Sequence, residues 1–219
     1  STGMLLRALV GLGFLELAEG RFANTPTAAT FLVSASPAFM GNAILYSDKL
    51  YGAWGGLEEA VRQGRPSMPA ETYLGDDPAH TRAFVLAMHE RALGVARALV
   101  AVLDLGGRQR LLDVGGGPGT YSVMLTQKFS GLRSEVLELP GVAAVARELV
   151  AAAGAADRVQ LRDGSYHTAD FGSAAYDAVL MSGMFHRETP ETCRGLIARA
   201  AKALQPGGLL VVADVFADA

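Results

Sequence analysis

Asp113-Val114-Gly115-Gly116-Gly117-Pro118-Gly119-Thr120 is the stretch of this chain best suited to holding a ligand. Glycine lacks a Cβ, so backbone there can turn sharply and approach a bound group closely. The residues before it, 110–114, read as a short apolar strand, and those after it, 119–129, as a helix whose first N–H groups are unpaired. Such a strand–loop–helix serves either a dinucleotide or S-adenosylmethionine. The dinucleotide fingerprint needs G-x-G-x-x-G or a final Ala. Counting from Gly115 the last position is Thr120, and from Gly117 it is Ser122, so both fail. An acid followed by G-x-G-x-G is met by Asp113, Gly115, Gly117 and Gly119.

A second acid, Glu138, ends the next strand, where a carboxylate can accept both hydroxyls of a ribose. His186 follows the fourth strand of the series, and the C-terminal ends of parallel strands are where α/β sheets bind ligands. A phenol near pKa 10 is largely protonated at neutral pH, so transfer of a group to its oxygen is helped by a base; histidine is the natural one. His89 and His167 are weaker candidates, and His80 reads as solvated. Each residue also has a purely structural reading. Glu138 could be a solvated strand end, the loop an ordinary tight turn, and His186 a loop histidine. For His89, an amphipathic interface position is the favoured reading.

The elements that must position these groups fall into two styles. Up to about Gly75 the chain reads as helical, with Gly20-Arg21-Phe22-Ala23 as a tight turn and Thr25-Pro26 as a helix start. A helix, a turn with a short β-like piece and another helix suggest the back half of a winged-helix unit. Helices over 37–46 and 50–63 follow, then a Gly64–Ser67 loop and a long amphipathic helix over 77–103. From Arg108 strands alternate with helices: strands at 110–114, 134–139, 159–161, 177–182 and 209–214, helices at 119–129, 141–153 and 191–204, with Pro206-Gly207-Gly208 as a turn. That rhythm predicts an α/β fold with a mostly parallel, Rossmann-like sheet.

Composition narrows the function classes. Half of the 219 residues are hydrophobic, so a sizeable core can form. With 19 basic against 22 acidic residues there is no basic excess to favour nucleic acid. Cys193 is the only cysteine, which excludes an internal disulfide framework and fits a reducing cytoplasm. The longest apolar helical stretch is broken by Arg97 and Asp104, so no membrane span is expected. A DNA-binding regulator is disfavoured because residues 4–20 carry only Arg7 against Glu16 and Glu19. The chain starts at Ser1 without a leader pattern and stops at Ala219 just past a strand; both ends read as cuts.

The ordered runs LLDVGGGPGTYS, VLELPGVAAVARELVAAAGAADRVQLRDG, YDAVLMSGMFHRETPETC and KALQPGGLLVVADV resemble the small-molecule O-methyltransferases of bacteria and plants, over roughly residues 5–215. These include caffeate, hydroxyindole and polyketide-tailoring enzymes. The resemblance implies a class I methyltransferase sheet behind a helical, winged-helix-like dimerisation domain. The regions expected are 1–75 for dimerisation, 76–107 for a connecting helix and 108–219 for cofactor binding, with the last strands missing. It implies S-adenosylmethionine as cofactor, no metal, a small hydroxylated aromatic substrate and a homodimer in the full-length protein. By resemblance Asp113, Gly115, Gly117 and Gly119 cradle the methionine part, Glu138 holds the ribose, Asp163 and Gly164 meet the adenine side, and Ser182 borders the cofactor. His186 would be the general base and Asp214 its orienting acid, while Met88, His89, Met184 and Phe185 would line the acceptor pocket. Met40, Tyr46, Tyr51, Trp54 and Met181 are further apolar candidates; for those on helices, Met88 included, core packing is the favoured reading. One departure stands out: the family usually has Asp and then Trp after this histidine, where this chain has Arg187 and Glu188.

Overall fold

A computed structural model describes residues 1–67, 75 and 77–216, so the expected boundary at 75–76 and the end at Ala219 lie partly outside the described residues. The chain divides into two compact units, Ser1–Arg65 and Pro66–Ala219.

The first unit runs α1 (Thr2–Gly11), β1 (Leu15–Ala18), β2 (Arg21–Asn24), α2 (Pro26–Phe31), α3 (Gly41–Trp54) and α4 (Leu57–Gln63). The expected turn at Gly20–Ala23 is displaced. Glu19 and Gly20, with φ of 51° and 75°, make the two-residue turn, and Arg21 to Ala23 belong to the returning strand. Two successive positive φ values match the twist of a tight hairpin, which is why the glycine sits inside the turn and not before it. Thr25 caps α2 by accepting the Ala28 N–H at 3.3 Å, with Pro26 in the first turn. The expected break near residues 47–49 is absent. Ser47 donates its hydroxyl to the Ala43 carbonyl at 2.9 Å and stays inside α3, so the helix continues to the Gly55-Gly56 pair, which breaks it instead. The unit's buried core residues are small in number: Ala28, Ala43 and Tyr46. Tyr51 and Trp54 are 80% and 66% exposed.

The second unit starts with α5 (Pro78–Val102), capped by Asp77, whose carboxylate accepts the N–H groups of Ala79 and His80 at 2.9 and 3.1 Å. Then come β3 (Arg110–Val114), α6 (Thr120–Lys128), β4 (Arg133–Glu138), α7 (Pro140–Ala152), β5 (Val159–Asp163), β6 (Tyr176–Ser182), α8 (Pro190–Ala203) and β7 (Leu204–Ala213). The five strands form one all-parallel sheet in the order β5-β4-β3-β6-β7. Successive residues of a strand face opposite sides. Leu112, Val114 and Val179 therefore pack with Leu196, Ala200 and Ala203 of α8, whereas Leu111, Ala178 and Leu180 pack with Leu125 of α6 and Leu99 of α5. Both faces are covered, as an all-parallel sheet requires. β5 extends past the expected Leu161 to Asp163, because its ladder with β4 holds register as far as Glu138↔Asp163. The expected turn at Pro206–Gly208 is instead an irregularity within β7: between the pairs Tyr176↔Leu204 and Ala178↔Leu209, β7 advances five residues against two. Proline cannot donate to the ladder, and Gly207 takes φ 76°, so the extra residues bulge out of the pairing.

The chain starts the sheet in its middle, at β3, builds outward through β4 and β5, then returns to the other side with β6 and β7. The loops after β3 and β6 thus part at the sheet's switch point, where such sheets bind ligands. Among the described residues no helix is long and apolar enough to cross a membrane.

Candidate active site

The loop after β3 holds Gly115, Gly117 and Gly119 at φ of 64°, 54° and 74°, conformations that side-chain-bearing residues rarely adopt. Gly116, outside the alternating spacing, is needed for a different reason. A Cβ there would lie 2.7 Å from both Asp113 Cγ and Val136 Cγ1. The run of three consecutive glycines carries that signal in the sequence, which the alternating G-x-G-x-G spacing alone does not. A Cβ at Gly117 would meet nothing within 4 Å, so the loop's outer side is open there.

Asp113 is fully buried beneath this loop. Its Oδ2 accepts the Ser122 hydroxyl at 2.6 Å, and Ser122 and Ser134 share a bond of 2.7 Å. Burial pushes its carboxyl up to about 7; the Ser122 bond opposes that and the neighbouring charge of Glu138 adds to it.

Glu138 closes the end of β4 beside the loop. Its two oxygens accept the Gly117 N–H at 2.9 Å and the Leu139 N–H at 2.7 Å. Burial raises its pKa, while those two bonds and the positive charge of Arg187 pull it back down. Asp163 is its ladder neighbour on β5 and is half exposed, paired with Arg147 at 2.5 Å. Gly164 donates its N–H to the Glu138 carbonyl at 2.9 Å. Tyr166, which the sequence did not single out, comes against the loop: a Cβ on Gly115 would sit 3.4 Å from its ring.

Across the switch point, β6 ends at Ser182 and a 3-10 turn, Phe185–Arg187, carries the histidine. His186 Nδ1 lies 2.8 Å from Asp214 Oδ1. The Asp214 side chain is 2% exposed and that of His186 50%. Asp214 also accepts the N–H groups of Phe185 at 2.7 Å and Val215 at 2.8 Å. Burial would raise its carboxyl, but the bonds from Val215, His186 and Phe185 prevail and hold it below the ordinary carboxylate value. An ionised carboxylate can only accept, so Nδ1 is the ring nitrogen that donates to Asp214.

The apolar candidates separate. Met181 and Met184 are buried in the core shared with Leu112 and Leu137, while Phe185 and Met88 are half-buried. His89 sits apart from that pair in its bonding: its Nδ1 lies 2.8 Å from Thr120 Oγ1, at the start of α6 beside the glycine loop. Burial lowers its pKa, against a smaller opposing effect of Glu90. His167 lies 3.5 Å from Glu188. Among the described residues no group of His, Cys, Asp and Glu is arranged to hold a metal ion.

The O-methyltransferase domain family matches residues 54–219, which include every group just described. The chain belongs to that family. It is 31% identical over 219 residues to 3-hydroxy-5-methyl-1-naphthoate 3-O-methyltransferase of Streptomyces sahachiroi, covering 98% of this chain and 63% of that protein. It is also 31% identical to the N,N-dimethyltransferase OxyT of Streptomyces rimosus, covering 97% of this chain and 64% of that one. An O-methyltransferase family protein from Burkholderia thailandensis superposes with a TM-score of 0.82 at 25% identity, over 96% of this chain and 64% of that structure. The chain therefore spans a little under two thirds of these family members.

Proposed function

We propose that this chain binds S-adenosylmethionine in the crevice between the loop after β3 and the end of β4, and methylates a hydroxyl of a small aromatic or polyketide-like molecule. The observation that carries the reading is the union of two features at one switch point: a three-glycine, positive-φ loop bonded to a strand-end glutamate, and an Asp-anchored histidine opposite it. Family membership supports it, and so does the naphthoate methyltransferase among its relatives.

The residues fit the cofactor. Gly115, Gly117 and Gly119 leave open backbone for the methionine part, and Glu138 exchanges its bonds with the loop and Leu139 for bonds from the two ribose hydroxyls. Asp163, Gly164 and Ser182 border the rest. Asp113 supports the loop from below, through its bond to Ser122 and its contact position under Gly116. The bound cofactor supplies an electrophilic methyl group on a positively charged sulfur. His186 accepts the acceptor's hydroxyl proton at Nε2, and Asp214 fixes the ring and stabilises the imidazolium so formed. Phe185, Met184, Met88 and His89 shape the acceptor's side. Alignment of the hydroxyl behind the methyl contributes several kcal/mol to lowering the barrier.

The helix–hairpin–helix of the first unit fits the back half of a winged-helix dimerisation region, the 76–107 segment a connecting helix, and residues 108–219 the cofactor domain of a cytoplasmic homodimer. An amine acceptor is the second reading, favoured by the N,N-dimethyltransferase relative alone. Incubating the protein with S-adenosylmethionine and matched panels of phenols and amines, read by mass spectrometry with His186→Ala in parallel, separates these. Methylated phenols lost in the variant support the proposal; products from amines only overturn it.

A further inference from the structure

Two crossovers that flank the site also carry side chains outside the machinery described so far: Tyr166 in the segment after β5 and Glu188 in the turn after β6. Tyr166, from the first, donates its hydroxyl to Glu188 Oε1, from the second, at 2.7 Å. The Glu188 side chain is 12% exposed, so this is a sheltered, charge-assisted bond and not a surface contact. Arg199 of α8 completes the arrangement. Its Nη1 donates to the carbonyls of Tyr166 at 2.7 Å and His167 at 3.2 Å, its Nη2 donates to Ala169, and its guanidinium stacks 4.0 Å over Phe171. One planar, five-donor group thus fixes a whole turn of backbone that has no helix or ladder to satisfy its carbonyls.

The ring so held lies against Gly115, at the mouth of the crevice. Burial, with Glu188, keeps the Tyr166 hydroxyl protonated well above its ordinary range, so it remains a donor at any working pH.

We propose that Glu188 and Arg199 are positioning residues that clamp Tyr166 as an aromatic wall of the crevice beside Gly115, on the side of the cofactor's methionine part. The proposal rests on the cofactor reading above and adds three residues to it. The clamp fixes the ring before the cofactor arrives, so its loss appears as weaker binding of the cofactor and leaves the His186–Asp214 pair intact.

The test is titration calorimetry of the protein with S-adenosylhomocysteine, alongside the melting temperature with and without that ligand. Tyr166→Phe and Glu188→Ala each bind about tenfold more weakly, the effect of losing one charge-assisted hydrogen bond. Glu188→Gln, which keeps an acceptor, returns most of the affinity, and Arg199→Lys recovers only part of what Arg199→Ala loses. Melting temperatures without ligand stay close to the parent's for Tyr166→Phe and Glu188→Gln, which a merely structural bond would not allow together with lost affinity. If all these variants bind like the parent while Glu138→Ala loses binding, the clamp is overturned and the cofactor reading stands. If the parent fails to bind, or Glu138→Ala binds like it, the cofactor reading falls and the clamp with it.

Discussion

The two banks of the switch point hold charge in opposite ways. On the β3–β4 bank Asp113 is buried and Glu138 half-buried, and both are pushed toward the neutral form: Asp113 sits under the loop, and Glu138 is satisfied by backbone N–H groups. On the β6–β7 bank a buried carboxylate, Asp214, is held ionised and turned toward an exposed imidazole. The first bank is built from backbone shape and suits holding a ligand. The second is built from a side-chain pair with a free nitrogen and suits moving a proton. The difference teaches that binding and chemistry here should be separable by mutation, one bank at a time.

The sharpest way to break that division is His186→Ala. Methyl transfer should fall by about 10²- to 10⁴-fold, the usual contribution of a positioned base, with affinity for S-adenosylhomocysteine unchanged. A variant that lost both would show the banks to be one unit. Next comes Asp214→Asn, which leaves the ring but not its orientation; a fall of about 10²-fold in rate, again with cofactor affinity intact, is expected in steady-state assays. On the other bank, Gly117→Arg should weaken cofactor binding at least about tenfold through the φ of 54° alone, before counting bulk in the open space above the loop. Parental affinity in calorimetry would contradict the loop's role.

The smallest effect concerns stability. The folded protein holds Asp113 at about 7 against an ordinary value of 3.8, so the unfolded chain ionises first as pH rises. The stability that this group contributes is therefore fully present below about pH 4 and lost as pH rises to about 7, by on the order of 4 kcal/mol at most. Asn at this position cannot ionise. Urea unfolding at pH 4 and 7 should show the parent losing ground to Asp113→Asn; a constant difference between them would mean that the carboxyl is not so perturbed.

Much of this was legible before any coordinates, for physical reasons that differ by element. The sheet was readable because apolar runs of three to six residues alternated with helical spacing, and the acid–G-x-G-x-G run left little choice for the loop. His186 and Asp214 were readable only together, through the resemblance, since 28 residues of sequence separate them. The hairpin turn was misplaced because Gly20 signals a turn without saying which side of it the chain lies on. The Pro206-Gly207-Gly208 run has the composition of a turn, and only the ladder with β6 shows it as a bulge. Tyr166 and Arg199 were invisible because their partners are backbone carbonyls and a loop glutamate, contacts that no periodicity announces. Asp113 looked like a ligand contact by spacing, yet it is the packing of Gly116 against it that shows it lying below the loop.

A crystal structure of the protein with S-adenosylhomocysteine tests the central claim most directly. The account predicts the methionine part of the ligand over Gly115–Gly119, with the Glu138 carboxylate released from the Gly117 N–H and bonded to both ribose hydroxyls. A ligand seated elsewhere, or a Glu138 still bonded to Gly117 with the ribose out of its reach, would contradict it.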